Sequence, residues 1–200
     1  MSNINVDDNI IEIKAILLGE ISVGKTSLIN VSIGMKFNQS ERTTFAANFV
    51  QKIIKIGSQE YCVDLWDTAG QEKLKSLTKL FYKGSQIIIF VYDITKYKTF
   101  ERLQNWVEEI ENNLDNKYIC GIVGNKKDLF THEEVNEKEA RNYAKSKGMK
   151  FKLVSAKTDP KSFTDFLEEL IKDGKDIFVR RRRITLVKQE KKNKNTDCKC

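Results

Sequence analysis

The sequence predicts an α/β protein: a mostly parallel six-stranded sheet with one antiparallel edge strand and helices on both faces. Three observations carry this. Apolar runs of strand length alternate with segments of helical spacing along most of the chain. Gln86–Tyr92 is almost wholly apolar, as expected of a parallel strand buried on both faces. Four polar loops each follow directly on a strand, which in such a sheet gathers them at the carboxyl edge, where ligands bind.

The elements follow in order. Residues 1–10 are polar and acidic, unlike a secretory signal, and form a flexible lead-in. Ile11–Leu18 is the first strand, and Lys25–Ile33 is a helix ended by Gly34. Met35–Thr44 has no period. Asn48–Ile56 and Glu60–Trp66 form a hairpin about Gly57-Ser58, which supplies the antiparallel edge. Lys73–Tyr82 has helical spacing through Leu74, Leu77, Leu80 and Phe81. After strand Gln86–Tyr92, helix Thr99–Asn113 sets Phe100, Leu103, Trp106, Val107 and Ile110 on one face. Tyr118–Val123 is a strand, Glu133–Lys147 a charged surface helix closed by Gly148, Lys150–Val154 the last strand, and Ser162–Lys172 the last helix, with Gly174 at its end. One domain over residues 11–174 is therefore expected, followed by a tail over 175–200.

Two hundred residues, 40% apolar with one proline, suffice for one core and a tail. No apolar run approaches the roughly 18 residues that a membrane span needs. The net charge of +7 lies wholly in residues 175–200, so a neutral body carries a basic tail suited to an anionic surface. Cys62 and Cys120 sit in apolar strands and read as small core residues. No disulfide or metal spacing is visible, which fits a reducing cytosol. The lone His132 lies in a polar loop and takes no role.

The chemistry concentrates in the strand-end loops. Gly19-Glu20-Ile21-Ser22-Val23-Gly24-Lys25-Thr26 has the spacing G-x-x-x-x-G-K-T between a strand and a helix, which is a phosphate-binding loop. Its backbone over Gly19 and Ser22 to Ser27 points N–H groups at one anion, at the positive end of a helix. Lys25 reaches the outer phosphates and the Thr26 hydroxyl binds Mg²⁺. An ordinary strand-to-helix turn would need neither residue. Asp67 ends the strand Cys62–Trp66 and can hold Mg²⁺ through a water. The Gly70 N–H can then touch a terminal phosphate, and Gln71 can orient an attacking water. Asn125-Lys126-Lys127-Asp128 offers an aspartate that can accept from guanine N1–H and its 2-amino group. Adenine lacks both donors, and a carboxylate left unpaired costs about 1–3 kcal/mol. Asn125 braces the loop and the Lys126 stem lies along the base. Ser155-Ala156-Lys157 completes the pocket, with the Ala156 N–H near the guanine oxygen.

In combination these segments make the chain resemble a Ras-superfamily small GTPase over about residues 11–172. Smaller patches are similar to the Rab family: Trp66–Glu72, Lys75–Thr78, Phe81–Gly84, Val91–Thr95 and Cys198-Lys199-Cys200. Ala46–Phe49 and Cys62–Trp66 lean to the early-endosomal branch. The resemblance implies a P-loop NTPase fold and a Mg²⁺-dependent, GTP/GDP-switched regulator of vesicle traffic that slowly hydrolyses GTP to GDP. It implies that Thr44 is the Mg²⁺ ligand of the first switch loop and that Phe37 stacks on guanine. An ordinary inward-packed loop aromatic would explain Phe37 equally. Phe49, Trp66 and Phe81 would be the effector surface, although the residues alone would place all three in the core. Cys198 and Cys200 would carry geranylgeranyl groups. The implied partners are an exchange factor, a GTPase-activating protein, a prenylation escort, a GDP-dissociation inhibitor and effectors. They would act on a monomer at the cytoplasmic face of an endomembrane, endosomal by that lean, cycling with cytosol. Nucleic acid is not expected, since no aromatic platform backs the basic residues.

Two features depart from the family pattern. Ile21 stands where a small residue is usual, beside the γ-phosphate and the attacking water. Thr44-Phe45-Ala46 stands where Thr-Ile-Gly is usual, which bears on partner choice. A hydrolysis-deficient, GTP-locked scaffold is therefore the rival reading. An ATPase or small-molecule kinase is opposed by Asn125–Asp128. Ile177–Val187, four arginines between Ile177-Phe178-Val179 and Ile184-Thr185-Leu186-Val187, either extends the last helix or lies on a membrane.

Overall fold

A computed structural model of the chain describes residues 6–7, 10–40, 44, 48–68, 80–114, 117–178 and 183–184. Strands β2 (Ile10–Leu18), β3 (Asn48–Ile56), β4 (Gln59–Asp67), β5 (Ile87–Asp93), β6 (Ile119–Asn125) and β7 (Lys150–Leu153) form one sheet in the order β3-β4-β2-β5-β6-β7. Only the β3–β4 pairing is antiparallel, and Gly57 at its turn takes φ 63°, a left-handed value that glycine adopts without strain. The expected six strands with one antiparallel edge are thus observed.

Among the described residues, four helices cover this sheet: α1 (Lys25–Ser32), α2 (Tyr97–Asn113), α3 (Glu137–Ser146) and α4 (Pro160–Asp173). The pleat divides the apolar residues between two layers. Ile11, Ile13, Ala15 and Leu17 of β2 pack with Leu28 of α1 and with Phe163, Phe166 and Leu170 of α4. Ile16 and Leu18 of the same strand join Phe100, Leu103, Trp106 and Ile110 of α2 and Ala140 and Ala144 of α3. Every residue of β5 is buried, as its unbroken apolar run predicts. Cys62 is buried and Cys120 half-buried; burial raises the Cys120 thiol to about 12, so it behaves as an inert apolar group.

Several boundaries and placements differ from the sequence reading. The helix expected over Glu133–Lys147 begins only at Glu137; a 3-10 turn over Lys127–His132 precedes it. Asn136 caps α3, its side chain accepting from the Lys138 N–H at 2.9 Å. Helix α4 starts at Pro160 rather than Ser162, with Asp159 accepting from the Ser162 N–H and the lone proline in the first turn, where no N–H is needed. Ile177 and Phe178 neither extend that helix nor lie outward: both pack on the first layer, with Phe178 only 6% exposed. The short strands β1 (Val6–Asp7) and β8 (Arg183–Ile184) pair antiparallel, so residues of the expected flexible lead-in meet the arginine segment. Of the helix expected at Lys73–Tyr82, only Leu80–Tyr82 are described, and they are helical.

Candidate functional site

The loops at the carboxyl ends of β2, β4, β6 and β7 meet at a cavity of about 400 Å³, within the range of small-ligand sites. Ile21, Ser22, Gly24, Lys25, Thr26 and Ser27 line one end. Gly19 must be glycine: at φ 149° an added Cβ would lie 2.1 Å from the Val91 carbonyl oxygen. Gly24 must be glycine for a second reason, since its Cβ would meet Asn125 Nδ2 at 2.3 Å. Val23 is fully buried, and its carbonyl accepts from that same Nδ2 at 2.9 Å. Lys25 is buried, its ammonium donating to the carbonyls of Gly19 at 2.8 Å and Glu20 at 2.9 Å. Burial depresses this ammonium to about 8, against the opposing pull of Asp67 and Glu20.

Three oxygens converge beside it. Thr26 Oγ1 lies 2.8 Å from Thr44 Oγ1 and donates to Asp67 Oδ2 at 2.7 Å; Thr44 Oγ1 donates to the same oxygen at 3.2 Å. Two hydroxyls and a carboxylate are hard oxygen donors, and their gathering suits Mg²⁺, which takes one or two protein ligands together with phosphate oxygens and water. Thr68 also lines the cavity, and its hydroxyl, donating to the Leu17 carbonyl at 2.7 Å, locks the end of β4 to β2.

The opposite end is built by β6 and the loop after β7. Asn125 is 2% exposed, and besides bonding Val23 it accepts from the Ala156 N–H at 3.4 Å. One side chain thus ties the phosphate loop to both base-side loops. Ser155 Oγ donates to Asp128 Oδ1 at 2.5 Å and accepts from the N–H groups of Lys157 at 3.2 Å and Thr158 at 3.0 Å. Asp128, Ala156 and Lys157 line the cavity, and Ser155 acts behind them by orienting Asp128. Lys126 holds φ 69° and lines the cavity with its stem, while its ammonium meets the buried Asp93 carboxylate at 2.6 Å. Phe37, one-third exposed, lines the cavity too, which favours a role against a ligand over inward packing.

A second feature lies beside β4. Phe49, Trp66 and Phe81 form a continuous aromatic row, with ring centroids 5.1 Å and 5.9 Å apart. Phe49 is 48% exposed and lies outside the core, whereas Trp66 and Phe81 are half-buried and pack against the second layer, so the core placement that the residues alone suggest holds in part for those two. The Lys14 ammonium lies 4.7 Å from the Trp66 ring centroid. Gly70, Gln71, Cys198 and Cys200 lie outside the described residues. His132 is exposed and does not line the cavity.

Sequence reading missed Thr68, Leu129 and Asp93. Thr68 and Leu129 were within reach, since each adjoins a motif aspartate. Asp93 carries no local signal, because its contact with Lys126 spans 33 residues.

A glycine-cradled lysine, a Thr/Thr/Asp oxygen cluster and an Asn/Asp pair at one edge of this sheet are the arrangement of a Ras-like P-loop fold. The chain belongs to the Ras family, whose sequence model matches residues 14–175. Within that family it is similar to "Ras-related protein Rab-21": 43% identical over 147 residues in Geodia cydonium, and 43% over 144 residues in Homo sapiens and in Bos taurus. These matches cover 72–74% of the chain and 64–65% of the relatives' own length, so the chain spans slightly less than two thirds of each.

Proposed function

We propose that the chain is a guanine-nucleotide switch of the Rab type, binding GTP and hydrolysing it slowly to GDP and phosphate. The observation that carries this is Asn125: its amide links the phosphate loop to the Asp128 and Ala156 loops, so that both ends of one nucleotide are read by a single rigid edge. Gly19 and Ser22–Ser27 cradle the phosphates, and Lys25 leaves its two carbonyl acceptors for them. Asp128, held by Ser155, accepts from guanine, with Ala156, Lys157, the Lys126 stem and Phe37 around the base. A bound Mg²⁺ would be held by the Thr26 and Thr44 hydroxyls, with Asp67 reaching it through water, and would neutralise charge on the β- and γ-phosphate oxygens. Gly70 and Gln71 complete the reading as phosphate sensor and water-orienting residue. Ordering of Thr44 and Gly70 by the γ-phosphate would assemble the Phe49–Trp66–Phe81 surface for effectors.

The trafficking role belongs to the same reading. The similarity to Rab-21 supports action at an endomembrane, with an endosomal lean. Among the described residues no helix is long and apolar enough to cross a membrane. Attachment would come from geranylgeranyl groups on Cys198 and Cys200, two chains holding where one is marginal, and from the basic segment beside them. Exchange, activating, escort and effector proteins would supply the timing.

A GTP-locked scaffold is the second reading, favoured by Ile21. Its β-branched side chain lines the phosphate end of the cavity and is 42% exposed. Competition of GTP against ATP tests the guanine clamp: GTP displaces bound fluorescent GDP, and ATP at a thousandfold excess does not. Single-turnover hydrolysis, with and without an activating protein, tests Ile21. Ile21→Gly is expected to accelerate at least one of the two rates; equal rates in both proteins would remove the crowding argument.

A further inference from the structure

Glu20 places a carboxylate at a free position of the phosphate-binding loop. It adds a negative charge where the backbone N–H groups and Lys25 gather positive potential for an anion. Its side chain is nearly buried, and its backbone carbonyl already accepts from the Lys25 ammonium at 2.9 Å. The Glu20 charge is felt at that ammonium, where it competes with any phosphate for the same cation. Ile21 and Ser22 line the cavity, whereas the Glu20 carboxylate meets α2: Oε2 accepts from Arg102 Nη1 at 2.7 Å, across 82 residues of chain. The Glu20 side chain is 10% exposed and that of Arg102 42%, so the pair sits at the rim, screened on one side only. A guanidinium stays charged at every working pH and binds a carboxylate with fixed geometry.

We propose that Arg102 is a positioning residue for nucleotide binding, which neutralises the Glu20 carboxylate and holds it against α2, so that Lys25 is left to the phosphates. The proposal rests on the guanine-nucleotide reading and assigns a further residue to it. Without Arg102, the Glu20 charge would oppose the bound phosphates. GTP carries about one more negative charge than GDP, so its affinity should suffer more. Loss of packing alone would weaken both nucleotides alike, which makes the GTP-to-GDP affinity ratio the discriminating readout.

The test uses the full chain, wild type and with Arg102→Ala, Arg102→Gln, Glu20→Gln, and Glu20→Gln combined with Arg102→Gln. Association and dissociation rates of fluorescent GDP and of a non-hydrolysable fluorescent GTP analogue are measured at fixed Mg²⁺ and low salt. Arg102→Ala and Arg102→Gln should lower the GTP-analogue affinity about tenfold and the GDP affinity roughly threefold. Glu20→Gln in the Arg102→Gln chain should return the ratio to the wild-type value. Arg102→Gln retains part of the stem, so it keeps the test alive if Arg102→Ala does not fold. An unchanged ratio in Arg102→Gln, or a changed ratio that Glu20→Gln leaves in place, overturns the proposal. A wild-type chain that binds neither guanine nucleotide overturns the underlying reading instead.

Discussion

Lys25 shows how far a single buried side chain can be followed. Desolvation pulls its ammonium from 10.5 down to about 8 in the free protein, with Asp67 and Glu20 opposing the fall. Phosphate oxygens stabilise the charged form, so its value must rise when a nucleotide binds. The sign follows: below pH 7 the ammonium is charged in both states and affinity is flat. Above about pH 8 binding must take up a proton, so GDP affinity should fall by up to tenfold per pH unit until the bound-state value is reached. Equilibrium titration between pH 6.5 and 9.5 checks this. Lys25→Arg, weaker at every pH, should lose the slope, because a guanidinium does not titrate there. A wild-type affinity that stays level to pH 9.5 would exclude this account of Lys25.

Elements were legible where one local rule decided them. The apolar run Ile11–Leu18 indicated a strand, and the apolar stripe of Thr99–Asn113 indicated a helix with its buried face, and both recur in the fold. The glycine-rich loop and Asn125–Asp128 were legible because their spacing is set by ligand chemistry rather than by packing. Reading failed where distant parts of the chain decide. The 3-10 turn at Lys127–His132 is held by the site loops, with the Lys127 N–H donating to the Val154 carbonyl, so the charged segment after it could not start as a helix until Asn136 supplied a cap. The pairs Glu20–Arg102 and Asp93–Lys126 exist only in three dimensions. Phe178 is the clearest case. Two residues before a run of four arginines, it looks like tail, yet its ring occupies the space that a Cβ on Gly174 would need and closes the layer beneath α4. Truncating a buried phenylalanine costs about 3–5 kcal/mol. Phe178→Ala should therefore lower the unfolding free energy by roughly 3 kcal/mol, read from denaturant titration at fixed GDP and Mg²⁺. A loss under about 0.5 kcal/mol, the size of an ordinary surface change, would return this residue to the tail.

At the scale of the molecule, charge and geometry divide the chain in the same way. The cavity lies at the carboxyl ends of the strands, beyond Leu18 and Asn125, whereas Phe178 and Gly174 pack near Ile119, where β6 begins. The β1–β8 ladder sets Arg183 opposite Asp7, three residues before β2 starts at Ile10. Phe178, just before the arginines, thus packs at the end of the sheet opposite the nucleotide site, and an anionic surface drawn to that end would leave the cavity and the aromatic row free for soluble partners. Residues 175–200 carry the whole net charge of +7, and each basic residue near an anionic bilayer contributes about 1 kcal/mol. Unlipidated full-length protein should therefore sediment with vesicles containing 30% phosphatidylserine at low salt, and not with pure phosphatidylcholine. Raising the salt to about 0.5 M, where the Debye length falls to a few ångströms, should release it. Replacing Arg180, Arg181 and Arg182 together by glutamine should reduce binding by roughly two orders of magnitude while GDP affinity holds. Equal binding to both vesicle types, or GDP affinity that falls with vesicle binding in the triple variant, would show that the two ends of the molecule are not independent.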